Sequence, residues 1–367
     1  MTNPLVRLGQ LGQSPWYDFI TRELIASGTL AALIADDGLL GMTSNPTIFE
    51  KAISGSQDYD ADVRRFMAEG LTPDAVFESL AVADVRAACD AFLPVYLSTE
   101  GRDGLVSLEV SPALAQDAAG TVAEAKRLWT ALDRPNAMIK IPGTVACLPA
   151  ITECIAAGIN VNITLLFSVE RYQAVIDAYL TGLETRIGAG LAINKLASVA
   201  SFFVSRVDSR IDNLLDQQSK AEGLRSTIAI ANAALAYQAF QAALATPRWQ
   251  RLAAHSATRQ RPLWASTSTK DPRLPDVYYV EALIAEDTVN TLPPDTLSAY
   301  RDHGDPAVRI DAAIATAGDR LGQLAERGIN LAEVTAFLEE DGLAKFAASY
   351  QAAVDGLATK MAALTAS

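Results

Sequence analysis

Histidine and cysteine are scarce in this chain of 367 residues, and each scarcity excludes chemistry. Two histidines, His255 and His303, are too few for a multi-histidine metal centre, and no His-Glu-x-x-His or Cys-x-x-Cys pattern occurs. Zinc hydrolases and zinc-type aldolases are therefore not expected. The cysteines, Cys89, Cys147 and Cys154, are odd in number and sit among apolar residues, as reduced buried thiols do. Positive charge is also in deficit: 30 Lys and Arg against 43 Asp and Glu give a net charge of -13, which repels phosphate backbones and anionic membranes. Nucleic acid and membrane are not expected partners, and an anionic small substrate needs a local basic pocket. Nucleotide loops are missing too, because Gly188-Ala189-Gly190 lacks the third glycine of a dinucleotide fingerprint and no P-loop pattern exists. The N-terminus lacks the charged-then-apolar order of a signal peptide. The uncharged stretch 226–247 is interrupted by Asn232, Gln238 and Gln241, so it reads as a buried helix and not a membrane span. The expected location is the cytoplasm.

What is present is a large supply of core. Half the residues are apolar and 20% are charged, a globular composition. Short apolar runs suited to buried parallel strands alternate with helical patterns, the signature of repeated βα units. Strands are expected near 16–18, 39–43, 105–110, 137–141, 159–167, 197–204, 262–267 and 288–292. Helices are expected near 74–96, 145–157, 169–187 and in the uncharged stretch. Such an alternation closes most naturally into a (β/α)8 TIM barrel of the α/β class. The expected division is a barrel over 1–304 and a C-terminal helical extension over 305–367, packed on the barrel or over its mouth and broken at Gly318, Gly328, Gly342 and Gly356. The long interval between Ser201 and Ser266 implies an insertion or an extra helix pair.

In this architecture, residues at the C-terminal ends of strands point into the mouth. The polar residues ending each apolar run are Asp18; Thr43, Ser44 and Asn45; Glu109; Lys140; Asn162 and Thr164; Ser201 and, just beyond, Arg206; and Ser266 with Lys270. Carboxylates, a lysine and an amide converging on one cavity cost several kcal/mol unless they are paired or functional. Lys140 closes the run Ala137-Met138-Ile139, whereas Lys195 precedes its run and belongs to the opposite face. A lysine nucleophile needs desolvation, since at an unperturbed pKa near 10.4 only about one amine in 2,500 is neutral at pH 7. Position alone leaves open that Lys140 is a rim lysine in an ion pair. Asp18 and Glu109 suit general acid and base work, although each could be a plain rim carboxylate. Asn162 and Thr164, two apart on one strand, share a face and could hold a substrate hydroxyl and a water. Arg206 and Lys270 follow the sixth and seventh strands, where barrel enzymes often bind phosphate.

The string Gly41-Met42-Thr43-Ser44-Asn45-Pro46-Thr47-Ile48-Phe49 is followed in order by Leu108-Glu109-Val110, Ile139-Lys140-Ile141-Pro142 and Asn162-Ile163-Thr164-Leu165-Leu166-Phe167-Ser168. Further on come Ala200-Ser201-Phe202-Phe203-Val204-Ser205-Arg206-Val207-Asp208 and Leu263-Trp264-Ala265-Ser266-Thr267. Together they resemble transaldolase over nearly the whole chain, and most closely its longer bacterial subfamily. The resemblance implies that Lys140 forms a Schiff base with sedoheptulose 7-phosphate or fructose 6-phosphate. Asp18 then takes the proton that drives carbon-carbon cleavage, and Glu109 and Thr164 shuttle protons through a water. It also implies that Asn45, Asn162 and Ser201 bind hydroxyls and that Arg206 binds phosphate. The dihydroxyacetone unit held on the lysine passes to glyceraldehyde 3-phosphate or erythrose 4-phosphate, in the non-oxidative pentose phosphate pathway. The imine nitrogen is the electron sink, so neither metal nor organic cofactor is implied.

Shorter transaldolases carry an arginine two residues beyond the seventh-strand serine. This chain has Ser268 there, and Lys270 is the expected substitute. Fructose 6-phosphate aldolases share the lysine but resemble the chain less, filling the positions of Glu109 and Phe203 with glutamine and tyrosine. Phe203, unable to donate a proton, is expected to keep water from the carbanionic intermediate. The competing readings are a lyase releasing dihydroxyacetone freely, separated by whether turnover needs an acceptor, and a catalytically silent binding barrel. The silent barrel predicts the loss of at least one of Lys140, Asp18 and Glu109, and all three are present. No obvious dimer stripe marks the outer helices, leaving monomer and homodimer open.

Overall fold

Eight expected strands become eight observed ones in the computed structural model, which describes residues 3–217 and 223–365. They are β1 (Gln13–Asp18), β2 (Gly41–Thr43), β3 (Leu105–Glu109), β4 (Ala137–Pro142), β5 (Val161–Leu166), β6 (Ser198–Phe203), β7 (Gln260–Ala265) and β8 (Thr288–Leu292). All pair in parallel with their sequence neighbours, and β8 returns to β1 to close the barrel. Helices follow the strands and form the outer ring. The fold is a (β/α)8 barrel with additional C-terminal helices.

The polar segments that blurred the strand boundaries have specific places in the barrel. β1 starts at Gln13, before the apolar pair Trp16 and Tyr17, because its polar residues are satisfied internally. Gln13 Nε2 donates to the Leu283 carbonyl at 2.7 Å and to Thr288 Oγ1 at 3.0 Å. Ser14 Oγ accepts from Arg261 Nη1 at 2.8 Å, while Arg261 also ion-pairs with Asp103 at 2.9 Å. β7 spans Gln260–Ala265 and ends before Ser266, which sits at a φ of 57° and leaves the ladder. The interval after β6 is filled by helices Ser205–Leu215, Ile228–Leu244 and Pro247–Ala253. Among the described residues no single helix is long and apolar enough to cross a membrane, and only the bent pair Ile228–Leu244 with Pro247–Ala253 passes such a test jointly. Helix Ile228–Leu244 packs against helices Val169–Gly188 and Ile310–Glu326, burying Ala229, Ala233, Ala236 and Phe240.

The C-terminal segment differs from the sequence reading in its continuity. Of its glycines only Gly328, at a φ of 71°, separates two helices, Ile310–Glu326 and Leu331–Thr365. Gly318, Gly342 and Gly356 lie inside them. A helical glycine costs only about 1 kcal/mol relative to alanine, which tertiary contact offsets. At Gly342 a Cβ would come within 3.1 Å of the Leu165 side chain, so the glycine permits the helix to lie close over the end of β5.

Inside the barrel, Trp16 of β1 pairs in register with Gly41 of β2, and two residues on Asp18 pairs with Thr43. A Cβ at residue 41 would lie 2.5 Å from the Trp16 ring, so glycine here is a requirement of packing. Gly41→Ala is expected to cost about 1–3 kcal/mol by overpacking, seen as a lowered thermal midpoint. A midpoint equal to that of the parent would refute this close fit.

Candidate active site

The strand ends assemble the site by register. Glu109 pairs with Lys140 across β3 and β4, and Lys140 with Asn162 across β4 and β5. Lys140 Nζ lies 3.4 Å from Glu109 Oε2 and 3.4 Å from the Ser44 carbonyl oxygen, with only 7% and 4% of the lysine and glutamate side chains exposed. Asp18 Oδ1 accepts from Thr43 Oγ1 at 2.6 Å, and Thr43 Oγ1 also lies 2.6 Å from Thr291 Oγ1. Burial raises the Asp18 carboxyl above the usual carboxylate range against the opposing pull of Lys140, the Thr43 hydrogen bond and Arg206. Burial raises Glu109 in the same direction, opposed by Lys140 and reinforced by the charge of Asp18.

A cavity of about 620 Å³ opens above these groups. Asp18, Thr43, Asn45, Lys140, Thr164, Ser201, Phe203, Arg206, Ser266 and Lys270 line it, so most of the residues singled out from sequence meet in one place. Glu109, Ser44 and Asn162 do not line it. Glu109 lies beside the amine of Lys140. Ser44 donates its hydroxyl to the Ser107 carbonyl at 2.7 Å, so its side chain braces β2 against β3. Asn162 is fully buried, donating to Ser107 Oγ at 3.0 Å and accepting from Ser201 Oγ at 2.7 Å. Asn45 caps helix Pro46–Ser54 by accepting from the Ile48 amide at 3.1 Å, which commits its oxygen and leaves its amide nitrogen to donate elsewhere. Thr164 Oγ1 is buried and finds no partner among the described residues. A buried hydroxyl without a partner is costly, and here it borders the cavity beside Lys140.

The far wall is cationic. Arg206, at the start of helix Ser205–Leu215, holds its guanidinium carbon 5.0 Å from the centroid of Phe203 and leaves Nη1 buried without a partner among the described residues. Burial lowers its pKa, offset in part by Asp341 and Asp18. Lys270 is exposed at the rim and donates to Ser268 Oγ at 2.8 Å. Ser266 Oγ meets Ser205 Oγ at 2.9 Å on the same side. By contrast Lys195 is exposed at the N-terminal side of β6, away from the cavity.

Sequence reading missed Thr291, Lys51 and Phe346 in the lining. Thr291 was legible in principle, since it lies one residue before the end of β8, while Thr43 ends β2. Lys51 sits at the end of helix Pro46–Ser54, where no local pattern points inward. Phe346 comes from helix Leu331–Thr365, outside every βα unit.

Half-buried Arg206, with Nη1 lacking a partner among the described residues, and exposed Lys270 place two cationic side chains on the same cavity. Replacing Arg206 by Met is expected to raise KM for a phosphorylated substrate about ten- to a hundredfold, the scale of charge-assisted hydrogen bonds, with kcat changed less. An unchanged KM would show that the guanidinium does not touch the phosphate.

Comparison with known proteins finds relatives over nearly the whole chain. Residues 15–357 match the model of the family Transaldolase/Fructose-6-phosphate aldolase. A transaldolase of Parafrankia sp. (strain EAN1pec) is 49% identical over 358 residues, covering 97% of each chain. Those of Acidothermus cellulolyticus and Trichodesmium erythraeum are 50% and 45% identical, with 95% or more of both chains covered.

Proposed function

This chain belongs to the transaldolase/fructose-6-phosphate aldolase family, and on that premise we propose that it transfers a dihydroxyacetone unit from a ketose phosphate to an aldose phosphate through a Schiff base on Lys140. The observation that carries the reading is the Lys140 amine on the floor of the cavity, out of bulk water, 3.4 Å from the Glu109 carboxylate.

The donor, sedoheptulose 7-phosphate or fructose 6-phosphate, lies with its phosphate toward Arg206, Ser266 and Lys270 and its carbonyl over Lys140. The neutral amine adds to that carbonyl, Glu109 and Thr164 move protons through a water, and the carbinolamine loses water to give an iminium. Asp18 removes the proton of the hydroxyl on the fourth carbon. The bond between the third and fourth carbons breaks, its electron pair passes to the iminium, and an aldose phosphate departs. The remaining enamine attacks an acceptor, glyceraldehyde 3-phosphate or erythrose 4-phosphate, and the steps reverse to release the new ketose phosphate. Asn45 and Ser201 hold hydroxyls at the cavity, Asn162 orients Ser201 from beneath, and Thr43 fixes the Asp18 carboxylate. Ser44 contributes its carbonyl to the lysine and its hydroxyl to the scaffold. The presence of Glu109 and Phe203 supports transfer over free release of dihydroxyacetone. The same reading puts the enzyme in the cytoplasm, in the non-oxidative pentose phosphate pathway, as a monomer or a homodimer.

Borohydride treatment in the presence of fructose 6-phosphate is expected to leave a reduced three-carbon adduct on Lys140, located by peptide mapping. Lys140→Ala is expected to lose the adduct and all turnover while remaining folded, because Glu109, already raised by burial, can simply take up a proton when its partner goes. An adduct on Lys195, or none in folded parent protein, would overturn the assignment.

Asp18 must be ionised to accept a proton, and its raised carboxyl protonates at a higher pH than an ordinary one near 4. Activity is therefore full above that raised value and lost as pH falls through it. The acidic limb of the kcat profile is expected above the ordinary carboxylate range and absent from the residual activity of Asp18→Asn. A limb at or below about 4 would contradict Asp18 as the base.

A further inference from the structure

The lining contains one aromatic ring that no βα unit supplies. Phe346 belongs to helix Leu331–Thr365, is 8% exposed, borders the cavity, and holds its ring centroid 5.7 Å from Lys140 Nζ. The amine thus has the Glu109 carboxylate as one neighbour and an aromatic ring as another. A cation within about 6 Å of a ring centroid is stabilised by the ring quadrupole, whereas a neutral amine or enamine is not.

The ring is held in place on both sides. Before it in the chain, Glu339 ion-pairs with Arg171 at 3.4 Å, and Arg171 also donates to the Gly143 carbonyl at 3.0 Å, just beyond β4. Gly342, one turn before Phe346, lies against Leu165, which stands at a φ of 61° in the register break between β5 and β6. After it, Ser349 accepts from Thr47 Oγ1 at 2.9 Å, and Lys360 ion-pairs with Asp60 at 2.7 Å. The left-handed residue at the end of β5 therefore provides the seat on which the helix rests. These anchors come from the segments after β2, β4 and β5, so the helix straps one side of the mouth and carries the ring across to the lysine.

We propose that Phe346 is a specificity-determining residue for the transfer: its ring favours the cationic iminium on Lys140 and shields the enamine carbon from water. The three-carbon unit then waits for an aldehyde. Protonation of that carbon by water, followed by hydrolysis of the resulting iminium, would release free dihydroxyacetone and regenerate the amine, so water access decides between transfer and release. This inference rests on the Schiff-base reading and adds to it a residue from outside the barrel.

Two variants separate the two effects. Phe346→Ala removes both ring and cover, and the ratio of free dihydroxyacetone to transfer product, measured with fructose 6-phosphate and erythrose 4-phosphate, is expected to rise at least tenfold. Phe346→Leu keeps apolar cover without the quadrupole. Its product ratio is expected to stay within twofold of the parent, while the fraction trapped by borohydride at a fixed donor concentration falls severalfold. Ser349→Ala, which removes a strap hydrogen bond and leaves the ring, serves as control and is expected to keep both readouts. Circular dichroism and thermal midpoints check that each variant is folded. If the parent forms its adduct on Lys140 and both folded Phe346 variants match it in product ratio and trapping, the ring is only helix packing and the inference is wrong. If the Ser349→Ala control shifts both readouts as strongly as Phe346→Ala, strap position and not the ring is responsible, which also overturns it. Failure of the parent to form any adduct removes the Schiff-base premise itself.

Discussion

A lysine amine withdrawn from water beside a carboxylate is the constraint on which the rest of this molecule turns. An ammonium group in an apolar setting is costly, and so is a carboxylate. Their proximity at 3.4 Å offsets part of both penalties. The second carboxylate, Asp18, stands across the mouth under a short hydrogen bond from Thr43, and burial moves both acids in the same direction. Two acids and an amine gathered at one cavity are the groups that imine chemistry requires.

Holding such groups apart yet close requires a rigid support, and the barrel supplies it with polar as well as apolar layers. Ser107 carries much of this at the centre: its hydroxyl accepts from Asn162 and its carbonyl accepts from Ser44, tying β2, β3 and β5 together around Lys140. Toward the opposite end of the barrel, Arg261 joins Ser14 and Asp103 in a second set of buried polar groups and also donates to the Arg102 carbonyl at 2.6 Å. Buried polar atoms without a partner among the described residues occur both in the support, at Trp16 Nε1 of β1 and Gln260 Oε1 of β7, and at the cavity, at Thr164 Oγ1 and Arg206 Nη1. Only the pair at the cavity is placed where a bound ligand can satisfy it.

How far the sequence made this visible depends on the range of the interactions involved. β8 was legible to the residue, because Thr288–Leu292 is rich in β-branched residues and lies between Glu286-Asp287 and Pro293-Pro294. β1 was legible only at its end, since Gln13 and Ser14 look like loop residues until their partners on β7, on β8 and in the loop before β8 are known. The rule that polar groups at strand ends face the mouth placed Asp18, Lys140 and Thr164 at the cavity and Glu109 beside the lysine amine, because a βα unit encodes its own strand end. Ser44 and Asn162 are not in the lining: Ser44 turns its hydroxyl to the Ser107 carbonyl, and Asn162, on the same face as Thr164 but two residues deeper in the barrel, meets Ser107 and Ser201. Phe346 had no local signature whatever. Its place follows from Gly342 and a left-handed Leu165 nearly 180 positions away, and the helical pattern of 331–365 with its internal glycines read as breaks instead of close approaches.

The distribution of charge completes the argument. A chain with a net charge of -13 repels a phosphorylated sugar over most of its surface. Within the cavity the balance reverses: Lys51, Lys140, Arg206 and Lys270 line it with Asp18 as the one carboxylate in its wall. The mouth is therefore a positive well in a negative field, and the anion is guided to it without being held elsewhere. Arg206 and Lys270 follow β6 and β7, while Lys51 follows β2 on the other side of the ring of strands, so the well has cations on facing walls. On the proposed reading, the departing aldose phosphate and the entering acceptor present the same anionic group to Arg206, and only one can occupy it at a time. That exclusion would order the reaction: the first product leaves before the acceptor enters, and the three-carbon unit stays behind because it is covalently bound and carries no phosphate. Binding energy is thus invested in the part of the substrate that leaves, while retention of the part that is transferred falls to Lys140 and the groups packed around it.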